Sequence, residues 1–265
     1  MSPASRVIIV RAAAMLALAG LAAVGCAAPR ADVPTAGAVP GASPAARSAP
    51  PSESSASPST VVLGPGLVVD RIAREVRVEA EVACDRGWLE QAACKAGTRE
   101  HESLLAIAVT PSRIHAAILL LGLEPGQPGE WKPAADGSDT VVRVAPAGAP
   151  LALAVRTTSG EVPLSSWIMD PVQGRAFPVQ PWVFAGSRIR SNTKSMGPGE
   201  HYVADRTGSI VGIVTFGDEV IAYDEVLSDK VDVDAPEWQA NTAAMPAPGT
   251  RVQLVIRPRA AGASR

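Results

Sequence analysis

Alternation of apolar and charged residues is the clearest pattern in the chain, and it is sharpest over residues 76–82. Valine and alanine alternate there with arginine and glutamate, which predicts a strand with one buried face and one face in water. Residues 67–69 predict a short strand that pairs with it across a turn beginning at Asp70. Residues 101–109 are apolar on both sides after Ser103, as expected for a strand that is covered on both faces.

A helix is predicted directly after this third strand. Thr110 suits the N-cap and Pro111 the first helical position, and apolar residues recur at helical spacing up to Gly122, so we expect one well-defined helix near residues 111–122. Further short strands are predicted at residues 141–144, 151–157, 182–184, 201–204, 209–216 and 252–256. Because strands outnumber helices, the predicted fold class is α+β with a mostly antiparallel sheet.

The first 26 residues have the pattern of a secretion signal. Two arginines supply positive charge, and residues 12–24 form an uncharged apolar stretch that is short for a bilayer of about 30 Å. Small residues then precede Cys26, which resembles the lipobox of bacterial lipoproteins, although Ala23 stands where a leucine is usual. We therefore predict that lipidated Cys26 anchors an extracytoplasmic protein to a membrane of the cell envelope, on its periplasmic face. A cleaved signal without lipid and an uncleaved anchor are the alternatives.

Composition divides the rest of the chain. Residues 27–60 are mainly alanine, proline, serine and glycine, which cannot bury enough apolar surface to offset conformational entropy, so we predict a disordered linker. We expect one domain over residues 61–260 and a short tail over residues 261–265. Residues 61–265 carry 20 lysines and arginines against 24 aspartates and glutamates, a net charge of −4. Without a basic patch for a phosphate backbone, no nucleic-acid partner is expected.

Reactive side chains are concentrated in residues 94–103, Cys-Lys-Ala-Gly-Thr-Arg-Glu-His-Glu-Ser, which hold a thiol, an imidazole and two carboxylates. Residues 110–117, Thr-Pro-Ser-Arg-Ile-His-Ala-Ala, add a second imidazole. Residues 182–187, Trp-Val-Phe-Ala-Gly-Ser, and residues 239–250, Gln-Ala-Asn-Thr-Ala-Ala-Met-Pro-Ala-Pro-Gly-Thr, follow in order. In these segments the chain resembles the YdjY-like domain family of bacterial extracytoplasmic proteins. That family carries a Cys-x-x-Gly-Thr-x-x-His-Glu-Ser block before a Pro-Ser-x-Ile-His-Ala-Ala helix.

The resemblance implies an extracytoplasmic domain but no particular chemistry, because the family has no settled activity. The residues that match its motifs are Gly97, Thr98, His101, Glu102, Ser103, His115, Trp182, Gly186, Ser187, Asn241 and Thr242. The chain departs from the family at Thr215, where an asparagine is usual, so a role for a side-chain amide at that position is in doubt. Met245 in place of isoleucine is an apolar exchange.

With the first cysteine lipidated, Cys84 and Cys94 remain, in a compartment that permits disulfides. An even count in an exported chain favours a structural disulfide between them. The alternative is a copper or zinc site formed by Cys84, Cys94 and His101 with Glu100 or Glu102, since thiolate and imidazole ligands suit these ions. Its spacing matches no tight metal motif. A redox-active pair is the third interpretation, and it lacks the Cys-x-x-Cys spacing.

Two pairs of residues could support nucleophilic catalysis. Cys94 with His101 has the right residue types but no visible group to orient the imidazole. Ser187 with His201 lacks the Gly-x-Ser-x-Gly turn, and a Gly-Ser turn after a buried strand is the plainer interpretation. His115 is expected far from His101, because a whole strand separates them before the helix turns back.

These patterns predict a binding or envelope-accessory module rather than an enzyme. No cofactor is expected, the membrane is contacted through the lipid, and another envelope protein is the expected class of partner. A metal-binding or redox protein centred on Cys84, Cys94 and His101 is the alternative function. The sequence does not indicate an oligomeric state.

Overall fold

The computed structural model describes residues 59–135, 137–138, 140–194, 197–235 and 237–259. The predicted signal segment, Cys26, nearly all of the predicted linker and the tail at 261–265 lie outside the described residues. Neither of the two α-helices in the described part of the chain is long and apolar enough to cross a membrane.

The described residues contain eighteen strands and two short α-helices. The strands are β1 Thr60–Gly64, β2 Leu67–Asp70, β3 Glu75–Val82, β4 Gln91–Lys95, β5 Ser103–Ile107, β6 Glu130–Pro133, β7 Val141–Val144, β8 Ala149–Thr157, β9 Gly160–Pro163, β10 Ile168–Asp170, β11 Arg175–Ala176, β12 Trp182–Phe184, β13 Ile189–Thr193, β14 Gly197–Tyr202, β15 Ser209–Gly212, β16 Ile221–Tyr223, β17 Gln239–Ala240 and β18 Arg251–Pro258. The helices are α1 Pro111–Leu119 and α2 Val203–Thr207. Single 3-10 turns span Glu100–Glu102, Leu164–Trp167 and Thr242–Ala244.

Eight strands close into a barrel. Their order around the ring is β3, β18, β8, β12, β16, β15, β4 and β5, and β5 pairs with β3 to complete the circle. Two neighbouring pairs in the ring are parallel, β15 with β16 and β4 with β5, and the remaining pairs are antiparallel. Closure removes the exposed edges that an open sheet would present.

The predicted fold class was therefore wrong. The structure is mostly β, with 45% strand and 12% helical residues, rather than α+β with a mostly antiparallel sheet. The prediction of a single helix near 111–122 fails in detail too, since α1 ends at Leu119 and α2 is a second helix. The physical reason is closure: β4, where no strand was predicted, pairs with both β5 and β15 and completes the ring.

The core of the barrel follows from alternation along its long strands. In β3 the apolar residues from Val76 to Val82 are buried, and Val78 lies opposite Leu254 of β18. In β8, Leu151, Leu153 and Val155 are fully buried. Their side chains are removed from water on the inner face, which contributes roughly 1.5–3 kcal/mol for each large apolar side chain.

The helix α1 packs against β2 and β3 through one apolar face, with Ile114 and Ile118 fully buried. Thr110 precedes it in an extended conformation, as predicted, but makes no side-chain cap hydrogen bond. Instead the backbone N–H of Ser112 donates to the carboxylate of Asp205 in α2, at 2.8 Å. The first turn of α1 is thus capped by a residue from a distant part of the chain.

Two predicted strands extend further along the chain than the observed strands do. Residues 201–204 divide between β14, which ends at Tyr202, and α2. Residues 209–216 form β15 only as far as Gly212. The predicted pairing of residues 67–69 with 76–82 is confirmed, because Val69 lies opposite Val76.

Candidate binding site

A cavity of about 170 Å³ opens where five chain segments meet beside the barrel. Its lining residues are Trp88, Leu89, Glu90, Glu102, Ile213, Val214, Leu227, Ser228, Asp229, Asp234, Ala235, Glu237 and Trp238. Apolar side chains and carboxylates share the wall, and none of the described residues that line it is lysine or arginine. A volume near 150 Å³ is enough for a benzene-sized group. The cavity therefore suits a small ligand.

The position of Glu90 is set by backbone hydrogen bonds. Its N–H donates to the carbonyl of Glu102 at 3.1 Å, and its own carbonyl accepts from the N–H groups of Ile213 at 3.0 Å and Val214 at 2.9 Å. These hydrogen bonds connect the cavity-lining segments around Glu102 and Ile213 to Glu90. A rigid frame of this kind holds side chains in place before a ligand arrives.

Glu90 is a weaker acid than an ordinary glutamate. Burial raises the pKa of Glu90 to about 7, and a side-chain hydrogen bond to Glu102 and the charge of Glu102 add to the rise, against the opposing charge of Arg99. A carboxyl group beside another carboxylate ionises less readily, because the two charges repel each other. Glu90 is therefore partly protonated near neutral pH.

Three carboxylates of the wall are paired with arginines that do not line the cavity. Arg99 lies 3.4 Å from Glu90, Arg143 lies 2.7 Å from Asp234, and Arg175 pairs with Glu237. Glu102 has only His101, at 3.7 Å, as a basic neighbour. Asp229 has no basic partner among the described residues. The wall thus keeps an excess of negative charge.

Two tryptophans complete the cavity. Trp88 is 41% exposed, which is unusual for so large an apolar ring, and its backbone bridges to Gln239. Trp238 is only 4% exposed, and its indole N–H finds no acceptor among the described residues. The indole N–H groups of the core residues Trp167 and Trp182 likewise find no acceptor among the described residues, so this feature does not distinguish the cavity.

The motif around Cys94 is mainly structural. Burial raises the pKa of the Cys94 thiol, and hydrogen bonds from the side chain of Ser103, the backbone of Arg99 and the side chain of Thr98 oppose the rise. Gly97 has a φ of +82° and closes the turn by donating its N–H to Glu100. A buried thiol with a raised pKa is a poor nucleophile and a poor metal ligand at neutral pH.

The predicted disulfide between Cys84 and Cys94 is not formed, and both cysteines are free thiols. Glu81 of β3 lies opposite Ala106 of β5, and Ala106 lies opposite Cys94 of β4. The strand β5 therefore separates the two cysteine segments. Two strand spacings of about 4.8 Å put their backbones roughly 10 Å apart, beyond the ~7 Å that a disulfide can bridge.

The predicted copper or zinc site finds no support either. The described residues contain no group of three or more histidine, cysteine, aspartate or glutamate side chains that could hold a metal ion. The Sγ atom of Cys84 donates to the carbonyl of Arg86 at 2.6 Å, and Cys94 is buried. His101 is exposed and faces Glu102, so Cys84, Cys94 and His101 do not converge. The pair of Cys94 and His101 is likewise not arranged for catalysis.

Ser187 and His201 do not form a catalytic pair. The hydroxyl of Ser187 donates to the carbonyl of Asp218 at 2.6 Å and accepts from the N–H of Ala204 at 3.2 Å. His201 is half-buried, and its Nε2 lies 3.1 Å from the carbonyl of Pro198. Ser187 therefore fixes a turn, as its Gly-Ser context predicted.

His115 belongs to a packed network away from the cavity. Its Nδ1 lies 2.9 Å from the hydroxyl of Tyr202, which donates to the carbonyl of Gly186 at 3.0 Å. Burial lowers the pKa of His115 and raises that of Tyr202, so both groups are neutral near pH 7. A Cβ at Gly186, where φ is +86°, would lie 2.5 Å from that of Pro125. The motif residues His115 and Gly186 therefore serve close packing.

The other motif residues also have structural roles. Trp182 is fully buried in the core. The side-chain amide of Asn241 donates to the carbonyl of Ser166 at 3.1 Å, and the hydroxyl of Thr242 donates to the carbonyl of Asp85. Of the motif residues, Glu102 is the one that lines the cavity, with His101 beside it.

A larger depression of about 940 Å³ lies over the outer face of β3 and β18. It is open to solvent, and its charged residues, among them Glu79, Glu81 and Arg251, point from strand surfaces rather than converge. We place the candidate site in the smaller cavity, because convergent polar groups in a concave wall are what define a ligand site.

Sequence reasoning missed Trp88, Glu90 and Asp229. Trp88 and Glu90 lie in the segment between the two cysteines, which we interpreted as a loop, and Asp229 lies in a segment without a motif. The one available indication was a tryptophan followed closely by a glutamate in that loop. Nothing in the spacing of these residues connects them to Glu102.

The structure combines a small closed barrel with an acidic, tryptophan-lined cavity beside it. A family model described as the YdjY domain matches residues 67–257, and the chain belongs to this family. No curated protein and no solved structure gives a significant match.

Proposed function

We propose that this protein is an extracytoplasmic lipoprotein whose YdjY domain binds a small ligand in the cavity between Trp88 and Glu102. The observation that carries the proposal is the shape of the site: a concave wall in which two carboxyl groups are held side by side next to an exposed indole. Placing two carboxyl groups side by side costs stability because their charges repel, and such costs are concentrated at functional sites.

The membrane anchor supports the same proposal from the sequence. A lipid on Cys26 and a linker over residues 27–60 would hold the domain at the surface of a membrane, able to reach molecules in its surroundings. No metal or other cofactor has a part in this proposal. We also propose another envelope protein as a partner of this tethered module. The barrel surface outside the proposed ligand site would make that contact.

The ligand site is tested by a thermal-shift screen of the purified domain against a defined panel of amines, amino acids, monosaccharides and nucleosides. A hit should be weakened by Trp88→Ala or Glu102→Gln and left unchanged by Glu81→Gln, which removes an exposed carboxylate that does not line the cavity. A hit that is unaffected by both cavity variants would place binding elsewhere.

The anchor is tested by fractionation of cells that express the full chain. Cys26→Ser should move the protein from the membrane fraction to the soluble extracytoplasmic fraction, because the acyl chains need that sulfur. Retention of the variant in membranes after a high-salt wash would show that another segment holds it there.

A further inference from the structure

The charges around the cavity point to the class of ligand. Five carboxylates line it, Glu90, Glu102, Asp229, Asp234 and Glu237, and none of the described lining residues is basic. Arginines from outside neutralise three of them. Glu102 and Asp229 have no lysine or arginine partner among the described residues, and the exposed His101 lies 3.7 Å from Glu102. An anion would be repelled by this wall, and a cation would be attracted to it.

The aromatic residues add an independent indication. Trp88 offers an exposed indole on the wall, and the faces of indole rings attract organic cations. Trp238 adds a second, mostly buried ring to the same wall. A ligand that fits this wall therefore carries a positive charge next to an apolar group.

Size narrows the class further. About 170 Å³ accommodates a group slightly larger than benzene, which excludes a nucleotide or an oligosaccharide from full burial. A bare metal ion is also disfavoured, because the described residues contain no cluster of three or more ligands that could hold one. An ammonium group with a few carbon atoms satisfies the charge, the rings and the volume together.

We propose that the cavity binds a small organic cation, a primary or quaternary alkylammonium, through Glu102, Asp229 and Trp88. This inference rests on the proposed function, since it names the ligand of the same site. Glu102 and Asp229 face the charge, and Trp88 contacts the alkyl groups.

The test compares choline with its neutral isostere 3,3-dimethyl-1-butanol, which has the same shape and hydroxyl but no charge. Isothermal titration of the wild-type domain should show choline binding with a dissociation constant at least about tenfold lower than that of the isostere, as expected for a cation over an indole beside a carboxylate. Glu102→Gln should weaken choline binding about tenfold, and Glu81→Gln should leave it unchanged. Asp229→Asn provides a second variant at an exposed position, should the loss of Glu102 impair folding.

Equal binding of choline and the isostere would overturn the inference, because charge would then be irrelevant. Binding of neither choline nor n-butylammonium would overturn it as well. If a neutral monosaccharide instead binds in the cavity and is lost in Trp88→Ala, the ligand class is wrong while the proposed binding function stands. If no compound of the panel binds, the proposed function fails together with the inference.

Discussion

Replacing Glu219 with glutamine should make this protein more stable at alkaline pH. Glu219 is almost completely buried, and one of its carboxylate oxygens accepts from the backbone N–H groups of Phe216 at 2.5 Å and Gly217 at 3.0 Å. The other oxygen has no partner among the described residues. Glutamine can keep the two accepted hydrogen bonds and removes the charge.

The magnitude follows from the ionisation of this carboxyl. Burial raises the pKa of Glu219 from 4.5 to about 7, and the charge of the neighbouring Asp218 adds to the rise. Below pH 4.5 the group is neutral in both the folded and the unfolded chain and costs nothing. As the pH rises from 4.5 to 7, only the unfolded chain ionises freely, so stability is lost. The full loss is about 3 kcal/mol, since each tenfold change in an ionisation equilibrium corresponds to about 1.4 kcal/mol.

Urea denaturation at pH 5 and pH 8 measures this effect. The Glu219→Gln variant should be close to wild type at pH 5 and more stable by up to about 3 kcal/mol at pH 8. Glu81→Gln, which removes an exposed carboxylate, should follow wild type at both values. The reasoning is refuted if Glu219→Gln is as sensitive to pH as wild type, because another group would then carry the dependence.

Two further predictions concern the motif around Cys94. Gly208→Ala should destabilise the fold by about 2–4 kcal/mol in a urea titration, because φ is +85° and a Cβ would collide with the side chain of Thr98. The control Gly122→Ala should cost only about 1 kcal/mol, because φ is +76° there but the space around the residue is open. The unreduced native domain should react with Ellman's reagent at Cys84, and Cys94 should react only after unfolding, because it is buried. Equal losses in the two glycine variants, or no free thiol in denaturant, would contradict these predictions.

Local patterns predicted the elements whose residues alternate or carry end signals. The alternation over residues 76–82 predicted β3, and Thr110 with Pro111 predicted the start of α1. The strand β4 escaped detection because it is buried on both sides and includes Gln91, whose amide donates to the hydroxyl of Ser209 at 3.0 Å. In the sequence, a polar residue at that position is typical of a loop. Only the hydrogen bond to the neighbouring strand shows that Gln91 belongs to a sheet.

Barrel closure and the cavity could not be predicted for a related reason. Closure depends on β16, which has only three residues, and on the pairing of β4 with β15, a strand more than a hundred positions later in the chain. The cavity joins Glu90 and Glu102 to residues more than a hundred positions later in the chain, such as Asp229. The family motif indicated the segment that contains Glu102, but most of the motif residues support packing. Only the three-dimensional neighbours of these residues show which of them lines the cavity.

The indole N–H signals of the five tryptophans provide the most direct measurement of the central claim, that the cavity is a ligand site. In a ¹⁵N–¹H correlation spectrum titrated with choline, the account predicts that the signals of Trp88 and Trp238 move, while those of the core residues Trp167 and Trp182 stay in place. Half of the full movement should require about tenfold more choline in Glu102→Gln. A titration in which the signals of Trp88 and Trp238 do not move, or move at the same choline concentrations in that variant, would contradict the account.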